Sequence, residues 1–441
     1  MTMVLLAPAA VRAQEGDGEP SPAAFWAALG DSTLERLVRD ALGANRDLRA
    51  ASARVNAARA GRTSAALSLA PVVSASSGYT RQRLAGASVP GAGGTLPDHA
   101  LWDAGVVMSW EVDVFGRGRR TVQGRGALIQ AAEHDVRDVQ VLLAAEVARA
   151  YFDLRGARDR LAVARRNAEN QRRSLQVTRD RLEMGSGTAL DTERAQAQLS
   201  STLAAIPALE AAIAAARNRI AVLLGRPPAS LAGELGGEGR LPALPAAPAG
   251  AVTEVTARRR PDVRSAERQL AARTSLVAAA RADYLPRVSI SGVAATTATQ
   301  LDALGNSGSL RYGVGPVVSW PLFDLGRVKA RVDAARADEA EASARHEQAV
   351  LRALEEAETA LVAYDRARER LRHLEEAAAA SERATELARL RFEEGGTGFL
   401  EVLDAERTQL DAQDRLAAGR TEATLGLVAV YRALGGAWPR P

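Results

Sequence analysis

Trp110-Glu111-Val112-Asp113-Val114-Phe115-Gly116-Arg117 returns 210 residues downstream as Trp320-Pro321-Leu322-Phe323-Asp324-Leu325-Gly326-Arg327. In each copy a tryptophan closes a segment of alternating apolar residues. Six residues later a Gly-Arg pair opens a long run without proline. Alternation with a period of two marks a strand with two unlike faces, and a proline-free run suits a long helix. Strand into long helix, used twice, is the reading that decides the fold.

The same offset continues outward: Gly185 pairs with Gly395, Leu190 with Leu400, and Leu224-Gly225 with Leu434-Gly435. Upstream of the tryptophans the offset is 215, relating Pro71 to Pro286 and Asn45-Arg46-Asp47-Leu48-Arg49 to Arg260-Pro261-Asp262-Val263-Arg264. The five-residue change therefore falls in a loop between Pro71 and Trp110. Two copies of one unit result, each running helix, strand, loop, strand, long helix, turn, helix. They are expected over 14–225 and 251–436, with a Pro- and Gly-rich linker at 226–250 and a short tail at 437–441.

Helices are predicted over about 119–184, 190–224, 328–394 and 399–434. In the first, Val147, Leu154, Leu161, Ala168, Leu175 and Leu182 recur every seven residues, with Ala150, Ala157 and Ala164 three further on. Leu199, Ile206, Ile213 and Ile220 carry the period into the next helix. A sustained seven-residue repeat drives left-handed supercoiling. The first helix would be roughly 100 Å long, too long for one globular core to bury. Pro207 is expected to kink the second.

Strands are predicted over about 72–81, 104–114, 287–297 and 310–320, each of the length that crosses a bilayer when tilted. Val106, Met108, Trp110 and Val112 point one way, and Gly105, Val107, Ser109, Glu111 and Asp113 the other. Tyr312, Val314, Val318 and Trp320 likewise oppose Gly313, Gly315 and Ser319. Of 17 aromatic residues in the chain, eight fall in these two regions. Tyr79, Trp102, Trp110, Tyr312 and Trp320 fit the interfacial girdle of an outer-membrane barrel. Four strands cannot close a barrel, and open edges in lipid leave backbone groups unpaired. Further copies of the chain must complete it.

Composition removes other classes. The net charge of +4 is spread as arginines interspersed with acids, as on solvated helix faces, so nucleic acid is not an expected partner. The chain has no cysteine, and its four histidines share no ligand spacing, so metal chemistry and a catalytic triad are not expected. Gly30-Asp31-Ser32 superficially resembles the nucleophile block of GDSL-type hydrolases, but no Asp-x-x-His supplies a base. No Walker-type phosphate loop occurs either. Residues 1–13 read as a partial signal peptide ending at Val11-Arg12-Ala13. No apolar run of 18 residues is visible, so no membrane-spanning helix is expected.

Phe25-Trp26, Gly30-Asp31-Ser32-Thr33-Leu34, Ala41-Leu42 and Asp47-Leu48 resemble the amino-terminal pattern of TolC-like outer-membrane efflux proteins, in the OprM-like or NodT-like branch. The segments Trp110 to Arg117 and Pro321 to Arg327 resemble that branch's two strand-to-helix signatures. The resemblance covers roughly residues 22 to 438. It implies a mainly α chain with a small membrane β-barrel contribution. Three chains would form a homotrimer with a twelve-stranded barrel on a long α-helical barrel. The implied place is the outer membrane of a Gram-negative bacterium, in contact with its lipid, with the helices in the periplasm. The implied partners are a periplasmic adaptor (membrane-fusion) protein and an inner-membrane pump of the RND type. The implied role is a passive exit duct for drugs or other toxic small molecules, without cofactor or catalysis. Branch members usually carry a lipidated cysteine after the signal peptide. This chain has none, so anchoring is expected to rest on the barrel.

By the same resemblance, the turns at Gly185, Gly187, Gly395 and Gly398 are the tips that meet the adaptor, and glycine there is expected to supply positive φ. Asp191 and Glu401 each lie six residues after their turn glycine. Rings of such carboxylates in a symmetric oligomer favour cations and hold a constriction by pairing with arginine. Leu400 and Asp404 match the family's constriction, and Arg407 a nearby partner. Phe392 and Thr397 stand where a tyrosine and an arginine are typical, so no tyrosine–arginine latch is expected. The bland alternative for these acids is helix-start residues favoured by the helix dipole. Two other readings of the whole chain stay open: the exit channel of a type I protein secretion system, and a soluble periplasmic coiled-coil scaffold or adaptor.

Overall fold

The computed structural model describes residues 25–26, 29–85, 94–231, 233–235, 241–246 and 253–436. The expected signal segment 1–13, parts of the linker and the tail 437–441 lie outside the described residues. The helices are α1 Ser32–Ala44, α2 Arg46–Leu67, α3 Arg117–Glu183, α4 Ala189–Leu223, the single turn α5 Glu254–Ala257, α6 Pro261–Arg281, α7 Leu325–Glu393 and α8 Phe399–Ala433. The strands are β1 Val72–Gln82, β2 His99–Val112, β3 Arg287–Ala298 and β4 Leu310–Ser319.

Pro207 lies inside α4, which runs as one helix from Ala189 to Leu223. Two expectations need correction. The same helix is long and apolar enough, by composition, to cross a membrane. Its alanines count as apolar without forming a continuous bulky stripe, which is why the run escapes the eye. Strand β2 begins five residues earlier than expected, because residues 99–103 pair with Gly78–Gln82 of β1. It ends at Val112 because Asp113 turns to cap α3, accepting from the N–H of Gly118 (3.0 Å) and Arg119 (2.9 Å). Burial alone would raise the Asp113 pKa, but these donors outweigh it and hold the carboxyl below its usual range.

The chain forms two compact units, each drawing on both repeats. One comprises Ala51–Asp135 and Asp262–Ala349 and contains the sheet. Its four strands lie in the order β1-β2-β3-β4, all neighbours antiparallel. Among the described residues nothing pairs with the outer edges of β1 and β4, so eleven and ten residues of backbone are left with one side open. Beside the sheet, α3 approaches α6 at Gly124, where a Cβ would come 3.2 Å from the carbonyl of Ala272.

The other unit comprises Met1–Ala50, Val136–Pro261 and Val350–Pro441. Its main core gathers Trp26, Leu34, Leu37 and Val38 with the heptad residues Val147 and Leu154 of α3, Ile220 of α4 and Tyr431 of α8. Burial pushes the phenol of Tyr431 above its usual range. Burial, together with a hydrogen bond to Asp31 (2.7 Å), pushes Tyr151 up to about 12. Both stay neutral hydrogen-bonding groups at physiological pH. Leu175, on the heptad line, reaches a second core near the hairpin ends with Ala168, Ala195, Leu199, Phe392, Phe399 and Val402.

Candidate functional site: the sheet faces and the hairpin tips

Strand register assigns every sheet residue to one of two faces, because directly paired residues share a face. One face holds Tyr79, Trp102, Val106, Met108, Trp110, Ile290, Tyr312, Val314 and Val318, and between the levels of Trp102 and Trp110 it carries no charge. The opposite face between Asp103 and Glu111 consists of Gly, Ala, Ser and Val, with one exception, Arg311, which lies at the level of Gly105 and Ala295. Tyr312 is 84% and Val314 75% exposed, which water alone does not favour for an apolar sheet face.

The five expected girdle aromatics all fall on the apolar face or its continuation. Tyr79 and Trp102 pack with ring centroids 4.5 Å apart near the loop end. At the helix end, the indole N–H of Trp110 donates to the carbonyl of Leu69 (2.8 Å), and that of Trp320 to the carbonyl of Tyr284 (3.1 Å). Leu69 and Tyr284 are repeat-related, so the same anchor is built twice. Each indole keeps its ring toward the apolar face while its polar edge is satisfied at the junction, the arrangement an interfacial tryptophan requires.

In the other unit, the turn glycines divide into types. Gly185 and Gly395 have φ of 73° and 75°, the left-handed conformation expected of them. Gly187 and Gly398 do not: Gly398 has φ −80°. Gly187 is required for another reason, since a Cβ there would lie 2.9 Å from the backbone nitrogen of Leu182. Gly398 meets nothing and serves as an N-cap without a side-chain bond.

The expected gate residues sit around the start of α4 and α8. Asp191 bonds the Thr188 hydroxyl (2.6 Å), while its own N–H donates to that oxygen (3.2 Å), so it closes the N-cap of α4. Glu401 and Leu400 are exposed, Leu400 by 54%. Asp404 and Arg407 pair at 3.6 Å with both side chains 71% exposed. Leu400, Glu401 and Asp404, with Ser381 and Thr408, line an open groove of about 570 Å³.

Sequence reasoning missed how the two hairpins are joined. Arg160 forms a fork with Asp414 (2.8 and 2.9 Å), Asn167 donates to Gln413 (3.0 Å), Ser174 to Glu406 (2.7 Å), and Arg181 to the carbonyl of Phe392 (3.2 Å). These four α3 residues are spaced by seven, so a polar line runs beside the apolar heptad line. Gly156 continues it by close approach, where a Cβ would come within 2.0 Å of the Thr421 hydroxyl. Glu406 is 4% exposed and also accepts from Arg389 (2.7 Å). The Arg181 guanidinium lies 3.9 Å from the centroid of the Phe392 ring, which itself packs on Phe399. One arginine thus holds Phe392 twice, by a cation–π contact to its ring and a bond to its carbonyl. The seven-residue spacing of polar residues was the available signal.

The family model for outer membrane efflux proteins matches residues 37–226 and 253–436, one match to each repeat. The outer membrane protein OprJ of Pseudomonas aeruginosa is 31% identical over 409 residues, covering 92% of this chain and 85% of that protein. The pyoverdine export outer membrane protein OpmQ of the same organism is 31% identical over 423 residues, covering 94% and 87%. The solved structure of the outer-membrane channel OprN superposes with a TM-score of 0.87 at 43% identity, covering 94% of this chain and 92% of that one.

Proposed function

This chain belongs to the outer membrane efflux protein family, and from that premise we propose how its parts make a passive exit duct. It is an outer-membrane efflux channel with its helical barrel in the periplasm. In our reading three copies each supply four strands, and the edge of β4 in one copy pairs with the edge of β1 in the next. The observation that carries this is the sheet: an uncharged apolar face for lipid and a small-residue face for the passage. Its two unpaired edges would be untenable in hydrocarbon unless closed by neighbours.

The hairpin tips at Gly185, Gly187, Gly395 and Gly398 are the surfaces offered to a periplasmic adaptor, which links the duct to an inner-membrane pump of the RND type. Leu400, Glu401, Asp404 and Arg407, repeated around the oligomer axis, form the periplasmic constriction. Asp191 adds a second acidic level while capping its helix. The duct performs no catalysis and reads its cargo little, so specificity resides in pump and adaptor. Cell fractionation followed by mass measurement in detergent tests this reading. The expected result is an outer-membrane trimer released only by detergent. Recovery as a soluble periplasmic monomer would overturn it and restore the scaffold reading.

A further inference from the structure

The small-residue face of the sheet has one charged device at its loop end. Asp103 of β2 accepts from the Thr297 hydroxyl of β3 (2.6 Å) and from Nη2 of Arg311 on β4 (2.8 Å). Nε of Arg311 donates to the same Thr297 oxygen (2.9 Å). The guanidinium is thereby drawn across β3 and laid along the sheet, with Thr297 as the stepping point. Gly78 pairs directly with Asp103, and Gly105, Ala295 and Gly313 occupy adjoining positions of that face. At Gly105 a Cβ would meet the Ala295 Cβ at 2.4 Å, so no larger residue shields the pair from that side. Toward the helices, the next charge on this face is Glu111, held by a bidentate bond from Arg117 (2.8 and 3.0 Å).

We propose that Asp103, Thr297 and Arg311 are a charge clamp that sets the ion preference of the loop-proximal lumen. This rests on the reading that the small-residue face lines the passage of a closed barrel. Clamped, each Arg311 is matched by a carboxylate, and the repeated ring carries no net charge. Without the carboxylate, the same arginine becomes a ring of positive charge in a wall otherwise built of Gly, Ala, Ser and Val. Rings of one sign are what give a pore its ion preference. The helical hairpins have no part in the device, so it is separate from the periplasmic constriction.

Reversal potentials in planar bilayers under a potassium chloride gradient test it, on full-length chains purified as detergent-stable oligomers. Asp103→Asn is expected to move the reversal potential toward that of chloride, and Arg311→Gln toward that of potassium. The double variant is expected to return to the wild-type value. Either single variant suffices for a sign test if the other does not assemble. Unchanged potentials, or shifts of the same sign in both, would overturn the clamp while leaving the duct reading intact. A wild-type chain that forms no oligomer and conducts nothing would instead overturn the duct reading beneath it.

Discussion

The two hairpin tips are copies of one design that have been put to different use. Their backbones agree: Gly185 and Gly395 share a positive φ, and Ser186 and Gly396 each donate to the carbonyl five residues earlier at 2.8 Å. One interhelical bond is also duplicated, Arg179 to Gln196 (3.1 Å) in the first tip and Arg389 to Glu406 (2.7 Å) in the second. The side chains then part. The first tip caps α4 with Thr188 and places Leu182 and Ala189 where the second has Phe392 and Phe399. The second gives up its side-chain cap and buries both phenylalanines instead. Duplication conserved the turn, and divergence moved the stabilising contacts from a cap to an aromatic layer.

The strongest way to break this comparison is to remove the layer. Phe392 is 8% exposed and touches Phe399 and Arg181, whereas its counterpart Leu182 is 39% exposed. Phe392→Ala should cost about 3–4 kcal/mol of local stability, from lost transfer energy plus the cavity left behind. Leu182→Ala should cost less than about 1 kcal/mol. Amide exchange at the second tip is then expected to accelerate roughly a hundredfold or more, with the first tip little changed. Equal protection losses from the two variants would show that the tips are equivalent after all.

The duplicated arginine bond gives a smaller contrast. Arg389→Ala takes the cation from the buried Glu406 carboxylate and leaves Ser174 as its donor, with the other oxygen already lacking a hydrogen-bond partner among the described residues. Its cost is expected to be about 2 kcal/mol, because a buried charged acceptor loses its cationic donor. Arg179→Ala loses only an exposed bond to Gln196 and should stay within about 0.5 kcal/mol. Thermal unfolding of the detergent-solubilised protein, read beside exchange at the tips, checks both.

Legibility in the sequence followed how local each signal was. The repeat, the four strands and the long helices could be read because a periodicity of two or seven and an invariant spacing are properties of the chain itself. The face assignment held because alternation is fixed by the pleat, and Trp110 and Trp320 declared it. Glu406 was invisible because it reads as one more exposed helix acid. Only the approach of α3, with Ser174 on its polar line, makes it buried. Asp103 was missed because Thr297 and Arg311 lie some two hundred residues away, and only strand register joins them. Gly187 was read as a φ requirement although the need is steric, since a sequence does not reveal how closely a turn folds back on its helix.

The least energetic contrast carries the most direct functional reading. Asp404 has Arg194 as its repeat counterpart, so the carboxylate is present in the second tip alone. Its pairing with Arg407 at 3.6 Å, both side chains 71% exposed, should contribute no more than about 0.5 kcal/mol to stability. Asp404→Ala is therefore expected to leave the folding of the hairpin unchanged. If Asp404 belongs to the constriction, the substitution removes one acid per copy from its ring. Single-channel conductance should rise, or the preference for cations should fall. Arg194→Ala, at the same place in the first tip, should change neither. Should both variants alter conductance alike, the first hairpin would share the opening. Should neither do so, Asp404 would be a solvated acid of the first turns of α8 and the constriction would lie elsewhere.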